Sequence, residues 1–226
     1  MDRLESLRRF LTGHGEGKVP PEHAVKGFLR GAGLLSPRGL YVPAGAPVPD
    51  LSLLSFPLAA KISSSRIRSK SDVGGIRLGL KDAEAASLAV ADLMRIEGAE
   101  GVLLEEEAPP GVEVIVGGII DPQFGPVVMF GLGGVSVELF RDVAFALAPM
   151  DRRDAMRLME RVKGCRLLTG FRGRPPCDRE ALADIVVVVS ELMATGLLAE
   201  IDLNPVTVYP QGAMILDAKM FAASLE

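Results

Sequence analysis

Three oxygen-bearing side chains sit on two short apolar runs near the C-terminus: Asp202 and Asn204 in Glu200-Ile-Asp-Leu-Asn-Pro205, and Asp217 in Met214-Ile-Leu-Asp-Ala-Lys219. The turn Pro210-Gln-Gly212 between the runs makes a hairpin the expected arrangement. With a side-chain period of two, Asp202 and Asn204 share one strand face, and the returning strand brings Asp217 opposite them. Such hard oxygens suit Mg²⁺, which takes one or two carboxylates, keeps several waters and relies on substrate phosphates for the rest. By spacing alone the same residues also serve as polar strand ends and turn formers.

Phosphate would need cations, and these cluster in one stretch. Lys61 ends the apolar run Phe56-Pro-Leu-Ala-Ala-Lys-Ile, and Lys70-Ser-Asp-Val-Gly74-Gly75 follows. Lysine meets phosphate as a point charge, and adjacent glycines let backbone N–H groups approach phosphate oxygens without a Cβ in the way. Lys61, Arg66, Arg68 and Lys70 thus form a basic patch in a chain of net charge −4. Read alone, Gly-Gly is a turn, the patch a solvated loop, and Lys61 a solvated strand end.

These residues need elements to hold them. Residues 1 to 12 place Leu4, Leu7, Phe10 and Leu11 on one helical stripe, and a second helix is expected over Glu22 to Gly31. A buried strand is expected at 56 to 62. Asp82 caps a helix running to Glu97, after which Gly101-Val-Leu-Leu, Val112-Glu-Val-Ile-Val and Val127-Val-Met-Phe read as strands. Asp151 to Lys163 has helical spacing. Ile185 to Val189 alone would be a strand, but Asp178 caps it and the pattern runs on to Leu197, so length favours a helix.

Composition sets limits. The chain has 226 residues, 48% hydrophobic and 5% aromatic with no Trp, and 25 Gly and 16 Pro, which suits an α/β enzyme better than a helical bundle. Mixed charges offer no basic field for nucleic acid. Cys165 and Cys177 lack Cys-x-x-Cys spacing, and with only His14 and His23 besides, no zinc site is readable and free thiols are expected. No apolar run approaches the ~20 residues of a membrane span, and no signal peptide is expected. A cytoplasmic protein is the expectation.

Taken in order from residue 20 to 220, the motifs resemble the ATP-grasp fold, most closely the nucleoside-diphosphate-forming acyl-CoA synthetases. The longest match is Asp121-Pro-Gln-Phe-Gly-Pro-Val-Val-Met-Phe-Gly131-Leu-Gly133-Gly134, followed by Glu138, Asp142 and Gly170-Phe-Arg172-Gly173-x-Pro-Pro. Glu105-Glu-Glu-Ala-Pro-Pro-Gly-Val-Glu113 resembles that family's inter-lobe hinge. The resemblance implies two α/β lobes with nucleotide between them: an N-terminal extension over 1–20, a small lobe over 21–103, and a large lobe with the metal hairpin over 104–226. It implies that Lys61 and Lys70 meet phosphate, that Gly74 and Gly75 cradle it, and that Arg172 contacts phosphate or braces its loop. Backbone near Glu105 and Glu106 would read the adenine edge and Glu113 the ribose, although the acidic run also suits a charged edge strand. Asn204 and Asp217 would hold Mg²⁺, with Asp202 their neighbour.

The activity implied is acyl-CoA + ADP + phosphate = acid + CoA + ATP, in a nucleotide-binding β subunit. A separate CoA-binding α subunit would carry a phosphohistidine, in an α₂β₂ assembly. One departure stands out. Family members usually carry a relay histidine ahead of the Lys-Ser-Asp motif, in Ser-Pro-Asp-Ile-x-His, where this chain has Ser64-Ser-Arg-Ile-Arg-Ser69. Ala146 likewise stands where an arginine is common. The chain either exchanges phosphate directly with the α-subunit histidine, serves an unusual substrate, or has become a nucleotide-binding regulatory subunit.

Overall fold

A computed structural model describes residues 3–14, 19–67, 69–133 and 142–223. Arg68, Gly134 and Glu138 lie outside the described residues. Helices α1 (Arg3–Gly13) and α2 (Glu22–Gly31) precede the first strand. The chain divides into two compact units, Pro21–Ala24 with Pro37–Pro109, and Met1–Pro20 and Val25–Ser36 with Pro110–Glu226. The main division thus falls after Pro109, where 103 was expected.

The smaller unit is an antiparallel sheet in the order β1 (Gly39–Pro43), β4 (Gly101–Glu106), β2 (Leu58–Ser63), β3 (Ile76–Leu80), with helix α3 (Ala83–Leu93) packed on it. Asp82 caps α3 by accepting the Ala85 N–H at 2.8 Å, which satisfies one of the helix's unpaired donors. Buried Ala86, Ala89, Val90 and Leu93 recur at helical spacing and meet Leu58, Ala60, Val102 and Leu104 of the sheet. The helix stops at Leu93, short of Glu97, because i→i+3 bonds such as Ile96 N–H to Leu93 C=O tighten the chain into turns. Strand alternation then sends Lys61, Ser63 and Glu105 to the face opposite α3.

The larger unit carries a second antiparallel sheet in the order β10 (Ala218–Ala222), β8 (Leu198–Val208), β5 (Val112–Asp121), β6 (Gly125–Leu132), β7 (Val143–Leu147), with β9 (Ala213–Ile215) also on β8. Helices α4 (Arg152–Glu160) and α5 (Arg179–Ala194) share a core with it. The run Ile185–Val189 is inside α5. Its β-branched residues are tolerated there because Ile185, Val186, Val188 and Val189 are all buried against Phe130, Val116 and their neighbours, each contributing about 1.5–3 kcal/mol. Leu7 of α1 and Val25 and Leu29 of α2 join the same core.

Candidate functional site

In the smaller unit, four charged side chains meet on the sheet face opposite α3. Lys61 Nζ lies 2.9 Å from Glu105 Oε2 and 3.6 Å from Glu22 Oε1, while Lys70 Nζ lies 2.9 Å from Glu22 Oε2. Lys61 and Glu105 reach each other diagonally, since Lys61 pairs with Leu103 and Ala59 with Glu105. Their side chains are only 12%, 8%, 4% and 2% exposed for Lys61, Lys70, Glu22 and Glu105. Among the described residues, these two cations and two anions balance, and deleting one member would leave a buried unbalanced charge, a loss of about 3–5 kcal/mol. Glu105 therefore engages Lys61 through its carboxylate.

The loop carrying Lys70 is laced to β2. Gly75 donates its N–H to Lys70 C=O at 2.7 Å, and Ile62 donates to Gly75 C=O at 2.8 Å. A Cβ on Gly75 would lie 2.4 Å from Ile62 Cγ2, so only glycine allows this approach, whereas Gly74 sits in open space at φ +61. Ahead of Lys70, Ser64 Oγ donates to Gly98 C=O and Ser65 binds the Glu100 carboxylate through both N–H and Oγ. These bonds pin the segment in which Ser69 stands. His23 places Nδ1 3.1 Å from Ser63 Oγ and stacks on Tyr41 with ring centroids 3.8 Å apart. Burial, then the Glu100 charge, pushes the Tyr41 hydroxyl above its usual pKa.

The acidic run is engaged by its own unit. The N–H groups of Glu106 and Glu107 go to Arg38 and Pro57 carbonyls. The Glu106 carboxylate accepts from Ser55 N–H, and that of Glu107 from Gly79 N–H.

In the larger unit, Glu113 lines a cleft of about 220 Å³ with Gly111, Leu132, Gly133, Phe171 and Arg174. The Glu113 C=O accepts the Gly133 N–H at 2.7 Å. Arg174 lines this cleft, while Arg172, at φ +50, sets its guanidinium 5.3 Å from the Phe171 ring centroid. That contact braces the aromatic wall. Asp142, expected from the long match, accepts from Lys163 and Gly164 N–H groups and ties that loop down.

The hairpin is more elaborate than spacing indicated. β8 pairs with β10 through Asp202↔Lys219 and Leu203↔Ala218, then with β9 from Val206. Against β5 the register shifts between Val116↔Leu203 and Val114↔Val206, so Asn204 and the cis-linked Pro205 form a bulge. Asn204 donates its N–H to Asp217 C=O at 3.3 Å, and Leu216 donates to Pro205 C=O at 2.9 Å, which sets Asp217 opposite Asn204. Asp202 faces Lys219 across the ladder. Among the described residues no three His, Cys, Asp or Glu side chains converge on one point. The backbone bond sets Asn204 and Asp217 side by side, and their side chains are of the hard-oxygen type that a cation completed by phosphate and water would take. Lys26, 1% exposed, donates to Leu216 C=O at 2.7 Å and braces the segment beside Asp217.

Glu22 and Lys26 escaped the sequence reading. The available signal was a charged pair at i and i+4 whose partners on the helix stripe, Val25 and Leu29, are apolar.

The ATP-grasp domain family matches residues 20–221. The β subunit of acetate–CoA ligase (ADP-forming) I from Pyrococcus furiosus is 39% identical over 242 residues, covering 97% of this chain and 99% of that protein. A solved dinucleotide-forming acetyl-coenzyme A synthetase 1 from Ca. Korarchaeum cryptofilum, in complex with coenzyme A, Ca-AMPCP and HgCl⁺, superposes with a TM-score of 0.88 at 39% identity, covering 96% of this chain and 100% of that one. The same enzyme with coenzyme A and Mg-AMPPCP, its phosphohistidine segment pointing towards the nucleotide binding site, gives a TM-score of 0.81 at 38% identity, covering 98% and 100%.

Proposed function

Since the chain belongs to the ATP-grasp family, we propose that it is the nucleotide-binding β subunit of an ADP-forming acyl-CoA synthetase. It exchanges a phosphoryl group between Mg-ADP and a phosphohistidine on a separate CoA-binding α subunit, within an α₂β₂ assembly in the cytoplasm. No helix among the described residues is long and apolar enough to cross a membrane. The observation that carries the reading is the pair of largely buried lysines, Lys61 on β2 and Lys70 on the loop with Gly74 and Gly75, in a chain 39% identical to a ligase β subunit over nearly the full length of both.

Phosphoryl transfer demands positioning and charge neutralisation more than covalent participation by the protein. Lys61 and Lys70 set two ammonium groups where phosphate oxygens gather negative charge, and the N–H groups around Gly74 and Gly75 add donors. Glu113, in its cleft, accepts from ribose hydroxyls. With the Glu106 N–H given to Arg38 C=O, a backbone carbonyl in the Glu105–Glu106 segment would read the base. Asn204 and Asp217, with Asp202 nearby, would hold Mg²⁺, which supplies charge neutralisation at the phosphates when bound. Arg172 acts by holding Phe171 in the cleft wall.

Ser69 favours direct transfer from the α-subunit phosphohistidine to ADP. The relatives' ligase activity supports this over a purely regulatory role. Purified chain with its α partner should form ATP from acyl-CoA, ADP and phosphate. Tight nucleotide binding with no turnover would instead establish the regulatory subunit. ADP with Mg²⁺ should raise Tm, and Asp217→Ala should abolish the rise; no shift in the wild type with any purine nucleotide would sink the nucleotide site itself.

A further inference from the structure

We propose that Glu22 is a positioning residue: its two carboxylate oxygens hold Lys61 and Lys70, one each, charged and aimed at the place where nucleotide phosphate binds. The inference rests on the nucleotide reading above and adds a residue outside every motif that led to it.

The two lysines need placing. They come from different elements, Lys61 from β2 and Lys70 from the loop before Gly74, and nothing in their backbone pairing fixes the ammonium groups at the ends of flexible four-carbon stems. Glu22 does so. It stands in the first turn of α2, behind Pro20 and Pro21, where the helix dipole favours a carboxylate. Oε1 lies 3.6 Å from Lys61 Nζ and Oε2 2.9 Å from Lys70 Nζ, so one planar group sets the spacing of two cations. Glu105 on β4 meets Lys61 at 2.9 Å.

The surroundings make the charge consequential. With Lys61 12% and Lys70 8% exposed, water screens the pair poorly, and two ammonium groups facing a single carboxylate would repel. Among the described residues, the charged groups converging there include Glu22 from α2, Lys61 from β2, Glu105 from β4 and Lys70 from the loop. If Glu22 became neutral, the ammonium forms would be disfavoured and protons would leave at lower pH. Phosphate affinity would then fall as pH rises, over a range in which the wild type holds both charges.

The test is calorimetric titration of the full chain with ADP and Mg²⁺ across about pH 7 to 9. Wild-type affinity should be flat there. Glu22→Gln should weaken binding about tenfold at the lower end and progressively further towards the upper end. Glu22→Asp, which keeps the charge on a shorter stem, should restore the flat profile and recover part of the affinity. In the reconstituted enzyme the Gln variant should raise KM for ADP more than it lowers kcat.

A merely structural Glu22 would change Tm and leave the pH profile flat, which would overturn the proposal. Wild-type binding with an unchanged Glu22→Gln overturns it alone, whereas a wild type silent towards ADP overturns the nucleotide reading and this inference together. If Glu22→Gln does not fold, adding Lys70→Met removes the unbalanced cation and should raise its Tm. No such rescue would also refute the assignment.

Discussion

Gly74 and Gly75 are adjacent in one motif yet are glycines for different physical reasons, and alanine at each should separate them. At Gly75 the added Cβ would meet Ile62 Cγ2 at 2.4 Å and Lys70 O at 2.9 Å, against the roughly 3.5–4.0 Å of a comfortable carbon contact. Ile62 is 1% exposed and cannot swing out, so either the core behind β2 or the Lys70 loop has to move by about 1 Å. Overpacking of this kind costs about 1–3 kcal/mol. If the loop yields, the 2.7 Å bond to Lys70 and the 2.8 Å bond from Ile62 loosen, adding about 1 kcal/mol each. At Gly74 nothing lies within 4 Å, and the cost is the left-handed φ of +61 alone, about 1 kcal/mol. Urea unfolding should therefore give a loss of about 3 kcal/mol for Gly75→Ala and a third of that for Gly74→Ala, at unchanged m. Because the displaced carbonyl belongs to Lys70, ADP affinity should fall further with Gly75→Ala. Equal losses at the two positions, or a larger one at Gly74, would refute the steric reasoning.

Other consequences are equally direct. Phe130→Ala, at a fully buried ring, should cost about 3–5 kcal/mol by urea unfolding and leave the smaller unit's secondary structure in place. Asp178 accepts from Ala181 N–H at 3.0 Å and Gly212 N–H at 2.8 Å, which hold its carboxyl below the usual range. Its contribution is thus present above the ordinary carboxylate pKa and lost as pH falls through the lower folded one. Asp178→Ala should cost about 1–2 kcal/mol at neutral pH, and the gap to wild type should close below about pH 4. Burial pushes the Cys177 thiol up, so at neutral pH it should label with a thiol reagent far more slowly in the native chain than after denaturation.

What the sequence disclosed was local. Asp178 announced α5 and outweighed the β-branched run behind it, since a cap and a long apolar pattern both reside in neighbouring residues. The strand that carries Lys61 was legible for the same reason. Glu22 was not, because its partners Lys61 and Lys70 lie about 40 and 50 positions away and a helical stripe assigns charged residues to water by default. Lys26 was hidden likewise, by a partner at Leu216. The bulge at Asn204 escaped because it exists only in the register between β5 and β8, a property of two strands that neither encodes alone. Leu7 looked like part of an appended helix until Phe130 and Val114 appeared in its core.

The buried cluster also sorts the chain's lysines by nucleophilicity. Acylation requires a neutral, accessible amine, and Lys26, Lys61 and Lys70 are withdrawn from solvent, with carboxylates set against Lys61 and Lys70. Lys81 and Lys163 stand in water. Acyl thioesters modify such amines without any enzyme's help. Mass spectrometry after incubation with an acyl thioester should find acyl groups on Lys81 and Lys163 long before Lys61 or Lys70, so the carboxylates paired with the buried amines also shield them from acylation.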